Sequence, residues 1–147
     1  MTTREEALSV IQRLYGKPSN EVFKKLSNDN AGIHCMLKYL SIVGKPVSAG
    51  EISEFMQVST ARVSVLLRKM LDRGFIVREK SAEDARKIMI SLSDRGRQED
   101  RRHIEEMIGI FQKVIDEVGS ERMEEFISVA HKIREIVRSE TGNPDEY

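Results

Sequence analysis

Cations and hydroxyls crowd positions 59 to 87 of this 147-residue chain. Ser59, Thr60, Arg62, Ser64, Arg68 and Lys69 come first, and Arg78, Lys80, Arg86 and Lys87 follow. Arg can donate two parallel hydrogen bonds to O6 and N7 of guanine, hydroxyls can bond base edges or phosphate oxygens, and either cation neutralises phosphate. On that chemistry Arg62 is the candidate guanine reader. Ser59, Thr60 and Ser64 are candidates for base edges or phosphates, and Arg68 and Lys69 for phosphates. Arg86 and Lys87 fall at or beside the tip of an expected hairpin, where an Arg can enter a narrow minor groove of enhanced negative potential. Arg78 and Lys80 are further phosphate candidates.

Each assignment has a plainer alternative. The cations at 62, 68 and 69 could line a solvated helix face, a reading the adjoining basic hairpin weighs against. Asp84 and Arg86, two residues apart, could form a surface ion pair worth little to stability. The same carboxylate could also hold Arg86 in the posture that meets DNA. Cys35, the single cysteine, sits between Ile33 and Met36 on an apolar helix and reads as a buried small hydrophobe in preference to a redox sensor. It permits no internal disulfide. His34, His103 and His131 are scattered without ligand spacing, so no metal site is expected. The chain shows no glycine-rich phosphate loop, no nucleophile beside a base and no convincing pair of carboxylates, so neither a cofactor nor an enzymatic activity is expected.

The elements that must position these residues follow from periodicity and punctuation. Ser48 precedes Glu51 by three, the pattern of a capping box, and starts a helix from Ala49 to about Met56 with Ile52, Phe55 and Met56 apolar. Gln57 and Val58 separate it from Ser59, the cap of a second helix from Thr60 to Arg73 that buries Val63, Leu66, Leu67, Met70 and Leu71 and stops at Gly74. The period then changes from helical to alternating. Phe75 and Val77, then Ile88, Ile90 and Leu92, mark two strands joined by the loop Ser81 to Arg86. Two short helices and a basic hairpin in that order can lay one helix in the major groove and the hairpin along the backbone or minor groove.

Upstream, Leu8, Ile11 and Leu14 share a stripe on a helix from Arg4, interrupted at Gly16, Lys17 and Pro18. A short helical stretch is expected through Val22, Phe23 and Leu26, and a core helix carries Ile33, Met36, Leu37 and Leu40 to an end near Gly44 and Pro46. Downstream, Ser93 caps a helix from Asp94 to Val118 with Ile104, Met107, Ile108, Phe111, Val114, Ile115 and Val118 at spacings of three and four. After Gly119, Ser120 caps a last helix with Met123, Phe126, Ile127, Ala130, Ile133 and Val137 on one face.

Formal charge is zero overall, yet Ser59 to Arg102 holds 12 Lys and Arg against 7 Asp and Glu, and the remainder holds the mirror-image acidic excess. A basic reading region between acidic flanks suits a polyanion partner. Apolar content of 39% supports a modest core. The chain lacks the apolar run of about 18 residues that a membrane span needs, and charges replace the apolar stretch of a signal peptide, so a cytoplasmic location without membrane contact is expected. The Asp94 to Val118 helix would span roughly 37 Å, longer than the head before it. Pairing of terminal helices across a twofold axis would bury its stripe, with Leu8, Ile11, Ile104, Met107, Ile108, Phe111, Val114, Ile115, Phe126, Ile127 and Ile133 as dimerisation residues. Packing of the three terminal helices within one chain is the alternative.

The stretch VSTARVSVLLRKMLDRGFIVREKSAEDARKIMISLSDRGR, Val58 to Arg97, resembles the MarR family of winged-helix regulators. Asp84 and Arg86 match its D-x-R wing signature, and LSDRG, Leu92 to Gly96, is similar to the L-T-x-x-G that leads into its long dimerisation helix. The resemblance implies a mainly helical dimer with a hairpin on each lobe, binding duplex DNA near promoters, usually as a repressor released by a small-molecule effector or oxidation. The expected architecture is mainly α with a small β-hairpin: one domain over 1–147, a winged helix-turn-helix over 31–92, dimerisation helices over 1–30 and 93–140, and a frayed tail over 141–147. A protein-interaction module on the same fold, without DNA binding, is the competing reading.

Overall fold

The computed structural model describes residues 1–15 and 29–141. The stretch through Val22, Phe23 and Leu26, and all but the first residue of the expected tail, lie outside the described residues. In chain order the elements are α1 (Arg4–Tyr15), α2 (Asp29–Val43), β1 (Val47–Ser48), α3 (Ala49–Met56), α4 (Thr60–Asp72), β2 (Ile76–Lys80), β3 (Ile88–Leu92), α5 (Asp94–Val118) and α6 (Ser120–Thr141). They form two compact units, one from α2 to His103 and the other from α1 with Ile104 onward. Among the described residues no helix is long and apolar enough to cross a membrane.

The unit from α2 to His103 is a winged helix-turn-helix built by its caps. Ser48 Oγ accepts from the Glu51 amide while Glu51 Oε2 accepts from the Ser48 amide at 2.7 Å, so the capping box forms and fixes the start of α3. Gln57, with φ of +50°, turns the chain in the left-handed region, and Ser53 Oγ donates to the Val58 carbonyl at 2.6 Å across the same turn. Ser59 Oγ then accepts from the Arg62 amide at 3.1 Å and starts α4. Ile33, Met36, Leu37, Leu40, Ile52, Val63, Leu66, Leu67 and Met70 close the core between α2, α3 and α4. Leu71, expected inside, is exposed, because it lies off the stripe set by Val63, Leu66, Leu67 and Met70.

The sheet corrects the hairpin reading in two ways. It has three strands in the order β1-β3-β2, all antiparallel, because Val47 and Ser48 pair with Ile90 and Met89. Secondly, Phe75 lies before the strand, its amide bonded to the Met70 carbonyl at 2.9 Å, and Ile76 is the inward strand residue while Val77 is exposed. Both Phe75 and Ile76 are buried, so the alternation starts one residue later than expected. Gly96 seals the junction with α5: a Cβ there would lie 2.1 Å from the Phe75 carbonyl oxygen. The Ser93 amide bonds that same carbonyl at 3.0 Å, and Ser93 Oγ caps α5 by accepting from the Gly96 amide.

In the other unit the packing kept as the alternative is present within one chain. Ala7 and Val10 of α1 meet Ile108 and Ile115 of α5 and Met123 and Ile127 of α6, with Leu8, Ile11, Leu14, Ile104 and Phe111 against them. Ion pairs Arg4–Glu105 and Arg13–Glu124 flank this core. Ile108, Ile115 and Ile127 are therefore covered within the single chain, and Met107 is half-buried. Val114, Phe126 and Ile133 remain exposed, and on α6 the last two are joined by Val129 and Ile136 in a continuous apolar stripe.

Candidate nucleic-acid interface

Helix α4 presents four distinct faces. Val63, Leu66, Leu67 and Met70 point into the core. One flank is engaged by the first residues of α2: Arg62 Nη1 lies 2.5 Å from Asp29 Oδ1, Lys69 Nζ pairs with Asp29 Oδ2, and Arg73 donates to Asn30 Oδ1 at 3.4 Å. Lys69 first and Arg62 second hold the Asp29 carboxyl below the ordinary carboxylate range. With about 3.6 residues per turn, the positions opposite the core are Ala61, Val65, Arg68 and Asp72, all exposed. Thr60 and Ser64 lie on the remaining flank, where Ser64 Oγ donates to the Thr60 carbonyl at 2.9 Å. Ser59 is spent partly as the cap.

Of the six candidates on this helix and its cap, Ser59, Thr60, Ser64 and Arg68 thus sit exposed toward one side. Arg62 and Lys69 are drawn onto Asp29. Sequence reasoning missed Ala61, Val65 and Asp29. Ala61 and Val65 carry a visible signal, since both fall off the core stripe, but small or apolar side chains are not among the types that first suggest a DNA contact. Asp29 gives none, being 40 residues from Lys69 in sequence.

The hairpin is ordered at its tip by Asp84. Its Oδ1 accepts from the Arg86 amide at 3.0 Å, and the Lys87 amide bonds the Asp84 carbonyl at 3.0 Å. The Ser81 amide reaches the Lys87 carbonyl at 2.9 Å and closes the loop. The carboxylate bonds backbone, so the side-chain ion pair considered for Asp84 and Arg86 is replaced by a turn that fixes the backbone beneath the Arg86 guanidinium. Arg86 and Lys87 are exposed at that tip, and Arg78 and Lys80 are exposed on the edge strand β2. Charges there also discourage edge-to-edge pairing.

The other chemistry-bearing residues resolve otherwise. His34 and His103 stack with centroids 3.7 Å apart, and His34 Nε2 lies 3.3 Å from Glu99 Oε1. Arg102 chiefly, then His34, bring the Glu99 carboxyl down to about 2. Among the described residues no group of three His, Cys, Asp or Glu is placed to hold a metal. His131 Nε2 lies 3.2 Å from the Arg13 carbonyl. Cys35 is half-buried, and burial pushes its thiol up, away from a reactive thiolate.

Comparison with known proteins agrees with this geometry. The MarR family model matches residues 34–87. An uncharacterized HTH-type transcriptional regulator of Bacillus subtilis, YdcH, is 32% identical over 59 residues, 40% of each chain. The match thus spans about two fifths of that relative's length. Among solved structures, a point mutant of MepR from S. aureus superposes with a TM-score of 0.62 at 18% identity, covering 92% of this chain and 99% of that one. FabT of Streptococcus pneumoniae, solved in complex with DNA, gives 0.55 at 20% identity over 70% and 73%. At such identities the structures establish the fold, and the family resemblance rests on the match of the MarR family model to residues 34–87.

Proposed function

Taking that resemblance as the premise, we propose that this chain is a sequence-specific, non-enzymatic transcription regulator that binds duplex DNA as a homodimer. Helix α4 enters the major groove with Ser59, Thr60, Ser64 and Arg68 toward the bases and backbone. Arg62 and Lys69 lie along the groove wall from their station on Asp29. Arg86 works in the minor groove, with Arg78, Lys80 and Lys87 on phosphates. The observation that carries this reading is the exposed side of α4, which keeps donors and a cation clear of the core, beside a hairpin whose tip is ordered by Asp84 and crowned by Arg86. FabT, on the same fold, was solved with DNA.

Pairing is supported by the stripe Phe126, Val129, Ile133 and Ile136, exposed along α6; a second copy would cover it and set two α4 helices about one helical turn of DNA apart, roughly 34 Å. Action as a repressor, and release by a small-molecule effector, extend the family resemblance to this chain.

Binding to the duplex upstream of its own coding sequence, measured against a scrambled duplex across a salt series with mass determined on the same sample, tests the reading. Preference for the upstream duplex by a dimer, falling steeply with salt, is expected. A monomer that ignores both duplexes at low salt would move the chain to the interaction-module reading.

A further inference from the structure

The face of α4 that points most directly away from the core is not built to read guanine. Its two residues nearest the helix start are aliphatic, Ala61 and Val65, one turn apart, and Val65 is 41% exposed. Packing gives no reason for valine there, because the core is already filled by Val63, Leu66, Leu67 and Met70. Helix propensity gives none either, since valine is a weaker helix former than Ala, Lys or Gln. Meanwhile the guanine-competent side chain of the first turn, Arg62, is turned aside onto Asp29.

In the major groove only thymine offers an apolar group, its C5-methyl; the other bases present donors and acceptors at their edges. We propose that Ala61 and Val65 read thymine methyl groups, so that each half-site carries thymines at the positions these two residues cover. One helical turn separates them by about 6 Å along α4. The base step is about 3.4 Å, which places the two thymines one to two base pairs apart. Ser64, exposed on the adjoining flank, supplies a hydroxyl for a neighbouring base edge, and Arg68 follows on the face of Ala61 and Val65 toward phosphate. This inference rests on the proposed entry of α4 into the major groove.

The test uses the full chain. Duplexes are selected from a randomised pool, and each thymine of the recovered half-site is then replaced by deoxyuridine, which lacks only the methyl group. Binding should weaken about three- to tenfold at one or two thymines, the order expected for one methyl group withdrawn from water. Val65→Ser should erase the penalty at one of them, and Ala61→Gly at the other, with circular dichroism showing that α4 still forms. Equal binding to thymine and deoxyuridine duplexes, or a penalty unmoved by Val65→Ser, overturns the inference while leaving DNA binding intact. Failure of the pool to enrich any sequence overturns the reading of DNA itself, and this inference with it.

Discussion

Asp29→Asn isolates the role of the flank of α4. The carboxylate holds Arg62 through one oxygen and Lys69 through the other, with all three side chains about a third exposed or more. Exposed pairs of this kind contribute little to stability, so the variant should fold with a melting temperature close to that of the natural chain. Its effect on DNA should be larger and opposite in sign. Freed of Asp29, each cation that engages a phosphate steepens the dependence of log K on log salt by about 0.9. Between about 0.2 and 0.05 M salt, the variant's advantage over the natural chain should then grow about 12-fold when one of the two residues engages a phosphate in both copies of the dimer, and about 150-fold when both do. Fluorescence anisotropy on one labelled duplex at several salt concentrations reads this directly. Parallel salt lines for the two proteins would show that releasing Arg62 and Lys69 adds no phosphate contact, and the restraining role given to Asp29 would be wrong.

Other perturbations separate the remaining parts of the account. Gly96→Ala would drive a Cβ to 2.1 Å from the Phe75 carbonyl oxygen. The urea midpoint should fall by the equivalent of about 3 kcal/mol or more, and an unchanged midpoint would contradict the close approach. Arg86→Ala should reduce the salt slope by about 0.9 for each copy in the bound dimer, about 1.8 in all. Asp84→Ala, which removes the acceptor of the Arg86 amide, should weaken binding a fewfold with the slope kept; identical slopes for the natural chain and Arg86→Ala would remove the wing from the interface. Glu99 is held from the ordinary 4.5 down to about 2, by Arg102 and then His34. The stability this supplies is complete above the ordinary carboxylate value and is lost as pH falls through about 2. Glu99→Gln should therefore lose less melting temperature over that acid window than the natural chain, and superimposable acid limbs would argue against the cluster.

Local capping made most helix boundaries legible. Ser48 with Glu51, Ser59, Ser93 and the turn glycines 74 and 119 each act within three or four residues of the boundary they set, and the structure uses them as expected. What escaped depends on distant partners. Strand β1 is two residues long and exists only through its pairing with Ile90 and Met89. The inward phase of β2 is decided by how Phe75 docks against Met70 and Ser93, which alternation alone misplaces by one residue. The exposure of Leu71 follows from its angular position on α4, which apolar type alone does not report. Asp29 lies in a different helix from both cations it holds, so local sequence could not join them. Nor could periodicity say how much of the stripe on α5 its own chain covers: Ile108 and Ile115 meet Ala7 and Val10 from about 100 positions upstream.

The central claim is that α4 occupies the major groove while the hairpin meets the minor groove, twice per bound dimer. Dimethyl sulfate methylates guanine N7 in the major groove and adenine N3 in the minor groove, so protection on a bound duplex reports both contacts together. Two clusters of shielded guanine N7 about 10 base pairs apart, each flanked by shielded adenine N3 that becomes reactive again with Arg86→Ala, are predicted. A saturated complex in which N7 reactivity matches naked DNA throughout would contradict the account.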